Sequence, residues 1–324
     1  MGFQEIIFHD IKEVFNIEGI LLVIANVGVF IAFSIGVPTF ATISNIYVIF
    51  DFLSVLGIAA LAELTVLVGG EIDVSVPMQM AMVAIVTALC SSYKIPTAAS
   101  LIIAFLIAVL IGCVNGFFTA YIQLPSFLVT LATNALLQGV AIILTRYSSL
   151  PIMDMRVLEL FYRTSIAGLR INLVWFIVIV AIVAFILKYT RFGRRAYAIG
   201  GNPFAPWNLG IDIRKNKLEL FLVTSMLSAV AGLILGARAE SARADMATAY
   251  LLPAIAAPVL GGASLTGGYG SVIRTILAAL VLQQLTVGVY ALGVEPAMYL
   301  VLQGIALIII LTIRIALQYR LYKK

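Results

Sequence analysis

Long apolar runs alternate with short polar punctuation along the whole chain. Nine runs approach or reach the roughly 20 residues that a bilayer-crossing helix needs: Ile20 to Val37, Phe52 to Val68, Val76 to Leu89, Thr97 to Tyr121, Leu124 to Thr145, Ile171 to Leu187, Leu218 to Gly236, Ser271 to Leu292 and Ala297 to Ile313. The stretch from Ile95 to Thr145 holds no charged residue and is too long for one span. It is expected to fold back near Gln123-Leu124-Pro125-Ser126, where proline interrupts the helix ladder. Leu251 to Gly262, LLPAIAAPVLGG, is apolar but short and carries Pro253 and Pro258. It predicts a broken or half-length helix, which survives at membrane depth only where protein or a water-filled cavity satisfies its backbone.

Charge orients this pattern. The segment Tyr189 to Lys217 carries Arg191, Arg194, Arg195, Arg214, Lys215 and Lys217 against the single acid Asp212, and positive loops stay on the cytoplasmic side. Counting the broken segment as a crossing puts the basic tail Arg320-Leu321-Tyr322-Lys323-Lys324 on the same side as this island; nine crossings would separate them. The expected fold is therefore an all-α integral membrane protein: a polytopic bundle of about ten transmembrane helices, one short or broken, with both termini cytoplasmic. Residues 1–19 are expected to form a cytoplasmic or membrane-surface helix, 20–314 a single transmembrane domain with the cytoplasmic loop 189–217, and 315–324 a basic cytoplasmic tail.

Composition agrees with this reading. With 63% hydrophobic and 11% charged residues, the chain cannot bury its apolar side chains in one soluble core. The net charge of +5 comes from cations gathered in loops, so no nucleic-acid partner is expected. Cys90, Cys113 and His9 form no metal-ligand pattern. The amino terminus lacks the basic start and small-residue cleavage site of a secretory signal.

Candidate chemistry is sparse. The chain contains no Gly-x-x-x-x-Gly-Lys-Ser/Thr phosphate loop, so any ATP energy must come from another chain. Gly69-Gly70-Glu71-Ile72-Asp73-Val74-Ser75-Val76-Pro77 reads as a sharp reversal, with Asp73 or Ser75 available to cap the next helix. Gly261, Gly262, Gly267 and Gly268 mark a second tight turn. Gly112/Gly116 and Gly232/Gly236 are spaced to let helices approach closely. Glu63 lies inside an apolar span, where a charge costs roughly 2.5 to 3.5 kcal/mol on insertion scales. It either lines an aqueous path, pairs across helices, or packs as a hydrogen-bonded carboxyl. Thr130, Thr133, Asn134 and Gln138 fall near one helical face, and with Asn115 they either face a hydrophilic solute or tie helices together.

The order of the motifs is informative. The glycine pair and its acidic turn are followed by VNGFFTAYIQLPSFLVTLAT, then GRRAYAIGGNP, then IAAPVLGGASLTGGYGS. From about Phe40 to Arg314 the chain resembles the ribose-type permease subunits of ABC importers. That resemblance implies a multi-pass permease of the bacterial inner (plasma) membrane, surrounded by lipid and carrying a small hydrophilic, sugar-like solute, above all a monosaccharide. It implies no enzymatic activity and no cofactor on this chain, with ATP and Mg used by two cytoplasmic ABC ATPase subunits. It further implies a second permease, the same or related, and an external solute-binding protein. The island matches the family's ATPase-coupling loop, with Gly193, Arg194, Arg195, Ala198, Gly200, Gly201, Asn202 and Gly210 as its residues. Pro77, Arg274, Pro206-Trp207 and Glu63 depart from the small residues usual in the family, a departure that suits one half of a heterodimer and leaves homodimer against heterodimer open. A proton-coupled carrier titrating Glu63 is the alternative reading.

Overall fold

A computed structural model describes residues 17–166, 168–201 and 212–293, with isolated helical positions at 298, 301, 304, 305, 308 and 312. The expected amino-terminal helix up to residue 16, Asn202, Gly210, most of the last predicted span and the basic tail lie outside the described residues.

Helices dominate, as the apolar pattern requires. They are α1 (Ile17–Gly36), α2 (Ile43–Val68), α3 (Val76–Ser92), α4 (Thr97–Ala120), α5 (Ser126–Thr145), the short α6 (Met155–Leu158), α7 (Ile171–Tyr189), α8 (Arg191–Gly201), α9 (Ile213–Ala239), α10 (Leu251–Leu260) and α11 (Val272–Ala291). Seven of these, α1, α2, α4, α5, α7, α9 and α11, are long and apolar enough to cross a membrane. The apolar α3 is shorter at 17 residues. The broken segment is the ten-residue α10, with Pro258 inside it; at about 1.5 Å per residue it covers roughly half the hydrocarbon thickness.

The long uncharged run folds back where proline predicted. Gln123 takes a left-handed backbone (φ 62°), and Pro125 precedes the first residue of α5. The span expected from Phe52 begins nine residues earlier, at Ile43. Asp51 lies inside α2 and is buried, with Arg170 in an ion pair with it and Asn172 Nδ2 donating to it at 3.1 Å. A charge inside a helix is tolerated when its partners come from elsewhere in the fold.

At the centre stand α2, α3 and α9, buried over most of their length, while α1, α4, α5 and α7 turn large apolar side chains outward. The α9 helix packs on α2, α3 and α4. The spaced glycines explain how. A methyl at Gly112 would lie 2.9 Å from the Phe221 carbonyl oxygen, one at Gly116 3.0 Å from Leu218 Cα, and one at Gly232 2.8 Å from Met80 Cα. Each glycine thus admits a neighbouring backbone that any side chain would hold off.

The bundle has two distinct ends. At the far end, Leu150 and Pro151 pair antiparallel with Ala242 and Ser241, and Ser165–Ile166 with Leu169–Arg170. These are the only strands among the described residues. At the island end, the α2–α3 turn, α8 and the loop from Gly261 to Ser271 converge.

Candidate functional site: a glycine junction and a buried polar relay

The basic island folds locally into α8. The hydroxyl of Thr190 accepts from Gly193 N at 3.2 Å and so satisfies one free N–H of the first turn. Gly193 is buried where the corner between α7 and α8 tightens, and a methyl there would sit 2.5 Å from the Ile186 carbonyl oxygen. Arg194 and Arg195 are exposed, with Arg194 Nη1 donating to the Tyr189 carbonyl at 3.0 Å, while Ala198 is half-buried.

The glycines at the end of α8 meet both predicted turns. A Cβ on Gly200 would overlap the Val68 carbonyl oxygen and lie 2.5 Å from Gly268 N. One on Gly267 would lie 2.6 Å from both Gly200 Cα and Gly70 N. Gly70 and Gly267 both have positive φ (79° and 90°), where a side chain is strained whatever the space. Gly268 N donates to the Val68 carbonyl at 2.9 Å, and Tyr197 Oη donates to the Gly270 carbonyl at 2.9 Å. Three segments far apart in sequence therefore touch backbone to backbone. Gly201 differs from its neighbour, because a methyl there would meet only Gly268 Cα, at an ordinary 3.6 Å. Gly69 faces the tip of Leu220, and Gly261 lies so close to α11 that a methyl would come 2.6 Å from Thr275 N. Gly262 (φ 99°) sits beside the ion pair of Arg274 with Glu18.

From the junction a polar chain runs into the bundle. Glu71, next to Gly70, is paired with Lys217 of α9. Asp73 follows, fully buried. Its Oδ1 accepts from Ser75 N at 2.9 Å and from the Ser75 hydroxyl, and its Oδ2 accepts from Gln79 Nε2 at 3.0 Å. Ser75 precedes α3 without making a side-chain cap, since its hydroxyl is committed to this network. Asn115 Nδ2 donates to Ser75 Oγ at 3.0 Å, and Thr133 Oγ1 donates to Asn115 Oδ1 at 2.7 Å. Thr130 Oγ1 accepts from Val74 N at 3.1 Å. Glu63 is enclosed on α2, its Oε1 accepting from Asp73 N at 3.3 Å and its Oε2 without a hydrogen-bond partner.

The network thus joins α2, the turn, α3, α4 and α5. Of the residues placed on one face of α5, Thr130 and Thr133 enter it, Asn134 is half-buried, and Gln138 lies on the outer surface of the bundle. Sequence inspection passed over Glu71 and Gln79. Their signal was available: Glu71 follows a glycine pair, and Gln79 lies one helical turn after Ser75.

Comparison with known proteins places this architecture. Residues 43–311 match the model of the family described as branched-chain amino acid transport system / permease component. The chain is 30% identical over 320 residues, 99% of its length and 94% of the relative's, to the probable ABC transporter permease protein YphD of Escherichia coli K12. It is 33% identical over 276 residues to the ribose import permease protein RbsC of the same strain, covering 84% of this chain and 86% of that one. It is 30% identical over 266 residues, 80% of each chain, to the autoinducer 2 import system permease protein LsrD of Escherichia coli O9:H4. No solved structure matches. The chain belongs to this family of ABC importer permeases, in its ribose-type branch, and is a multi-pass protein of the bacterial inner membrane.

Proposed function

From membership of this family, we propose that the chain forms half of the translocation path for a small hydrophilic solute of monosaccharide class, driven by ATP hydrolysis in two partner subunits. Similarity to permeases named for ribose and for autoinducer 2 supports a small polar solute. A second permease, the same or related, completes the path, and an external binding protein delivers the solute. In this reading the chain crosses the membrane ten times, with the island end and both termini in the cytoplasm. The bias of cations toward that end supports the orientation.

The observation that carries the mechanism is the backbone contact of Gly200 with Val68, Gly267 and Gly268. Closure of the ATPases pushes α8, with Arg194, Arg195 and the island glycines against them. With no side chain at Gly200 to absorb displacement, α8 and both turns move together. Asp73, Ser75 and Asn115 pass the shift to α4 and α5, and the turn after α10 passes it to α11. Alternating access then follows from small shifts of packed helices.

Reconstitution tests this. The chain, with its co-encoded ATPase and binding protein in proteoliposomes, is expected to accumulate solute only with internal ATP. Accumulation driven by a proton gradient without ATP, and abolished by Glu63→Gln, would replace the proposal with a carrier mechanism.

A further inference from the structure

The most exposed of the spanning helices is α1, in which only Gly19 and Asn26 are buried. Ile24, Val27, Ile31 and Ile35 face outward, and the helix packs chiefly on α11. Apolar burial holds such a helix weakly, because lipid covers its side chains as well as protein does. Its attachment is polar instead. Glu18 forms an ion pair with Arg274 near the start of α11. Further along, Asn26 Nδ2 donates to the Leu277 carbonyl at 3.0 Å, and its Oδ1 accepts from Gln284 Nε2 at 3.3 Å. Beyond that, the Phe33 ring occupies the space that Gly288 leaves open: a Cβ on Gly288 would lie 2.5 Å from Phe33 Cδ1. Glu18, Asn26 and Phe33 follow one another at about two-turn intervals, so they form one stripe along α1. The two helices therefore run parallel and are stitched along their length.

Arg274 joins this stitch to the glycine junction. Its side chain is 3% exposed, and a guanidinium taken so far out of water is stable only when a carboxylate answers it. Glu18 supplies that charge, while Arg274 Nη2 donates to Tyr269 Oη at 2.9 Å. Tyr269 belongs to the turn whose Gly267 and Gly268 meet Gly70, Gly200 and Gly201. Gly262, at the start of the same turn, lies against both partners: a Cβ there would sit 2.6 Å from Glu18 Oε2 and 3.4 Å from Arg274 Cζ. The turn thus grips α1 as well as α11. Where water is absent, sliding one helix past the other would strand the Asn26 amide. We propose that Arg274 is a positioning residue of the transport cycle: it clamps α1 to the turn before α11, so that α1 and α11 move as one body when the turn is displaced. This deepens the transport reading and rests on it, adding α1 to the elements that the junction moves.

The test uses the full importer in proteoliposomes with Phe33→Cys/Gly288→Cys, at the end of the pair remote from Arg274. Oxidation links α1 to α11, as verified by mass spectrometry and reversed by reductant, and the wild-type chain with its native Cys90 and Cys113 is oxidised in parallel. Solute taken up per ATP hydrolysed is expected to be the same in the linked and reduced states. Uptake lost on oxidation and regained with reductant would show that the two helices separate during the cycle, and would overturn the inference. In the same cysteine background Glu18→Ala is expected to lower the ratio about fivefold under reducing conditions. Oxidation is expected to restore it, because the covalent tie replaces the ion pair. A purely stabilising ion pair would change the yield of folded importer and leave uptake per ATP untouched. A ratio that Glu18→Ala leaves unchanged, or lowers without rescue by the disulfide, would overturn the role of Arg274. The unmodified importer separates the two readings: absence of ATP-dependent uptake removes the transport proposal and this inference with it, whereas uptake abolished by the link removes the inference alone.

Discussion

The two ends of the bundle differ in how closely their backbones approach. At the island end, Gly70, Gly200, Gly267 and Gly268 bring backbones into direct contact, with no side chain between them. At the far end, Asp51, Tyr162, Arg170 and Asn172 form a side-chain network, and Arg238 leans on Phe52 and Tyr250 around a cavity. Backbone contact leaves no rotamer to change, so displacement of one segment displaces the others. Side-chain networks can break and re-form. In the proposed transport cycle, force transmission falls to the first end.

Changes at the rigid end should have the largest effects. Gly267→Val combines a forbidden backbone with overlap against Gly200 and Gly70; at about 3 kcal/mol or more, it is expected to prevent a stable, transport-competent chain, read as loss of the folded peak in detergent chromatography. A well-folded Gly267→Val protein with normal uptake would erase the contrast between the ends.

Asp73→Ala removes the acceptor shared by Ser75, Gln79 and Asn115. Stranding these donors is expected to cost about 2 to 4 kcal/mol, seen as a lower thermal midpoint in detergent. Asp73→Asn should recover part of the loss, because its carbonyl still accepts from one side. Equal destabilisation by both variants would point to packing rather than to the relay.

At the adaptable end, Asp51→Asn is expected to cost less, about 1 to 2 kcal/mol. The Arg170 side chain is 43% exposed, and water partly replaces the lost charge. The smallest effect belongs to Arg243 and Asp245, both exposed in the loop before α10. The Arg243 hydrogen bond and charge hold the Asp245 carboxyl below its ordinary range. Its contribution is therefore present above the unfolded value of about 3.9 and lost as pH falls through the lower folded value. Arg243→Gln is expected to leave the thermal midpoint unchanged at pH 7, within the 0 to 1 kcal/mol typical of exposed pairs.

Much of the fold was legible because lipid imposes a simple rule: apolar runs of sufficient length, divided by proline and glycine. The fold-back at Pro125 and the short α10 follow from it directly. The start of α2 was placed at Phe52, nine residues late; the helix carries the buried Asp51, whose partners Arg170 and Asn172 lie over a hundred residues away. The same limit applied to the candidate site. Gly70, Gly200 and Gly267 each read as a turn or helix-end glycine in its own segment, but only the folded chain shows that they touch. Helical periodicity grouped Thr130, Thr133, Asn134 and Gln138 on one face. The fold divides them, because Asn115 and the α2–α3 turn cover only the half nearest the island.

The most direct test of the junction compares Gly200→Ala with Gly201→Ala in the same reconstituted importer, measuring solute taken up per ATP hydrolysed. The two changes add the same methyl to adjacent residues and differ in what it meets: the Val68 carbonyl and Gly268 N at Gly200, but only Gly268 Cα at 3.6 Å at Gly201. Gly200→Ala is expected to lower the uptake-to-ATP ratio at least about fivefold, the equivalent of the lower end of the 1 to 3 kcal/mol cost of overpacking, while Gly201→Ala stays near wild type. Equal ratios in the two variants would contradict transmission through the glycine junction.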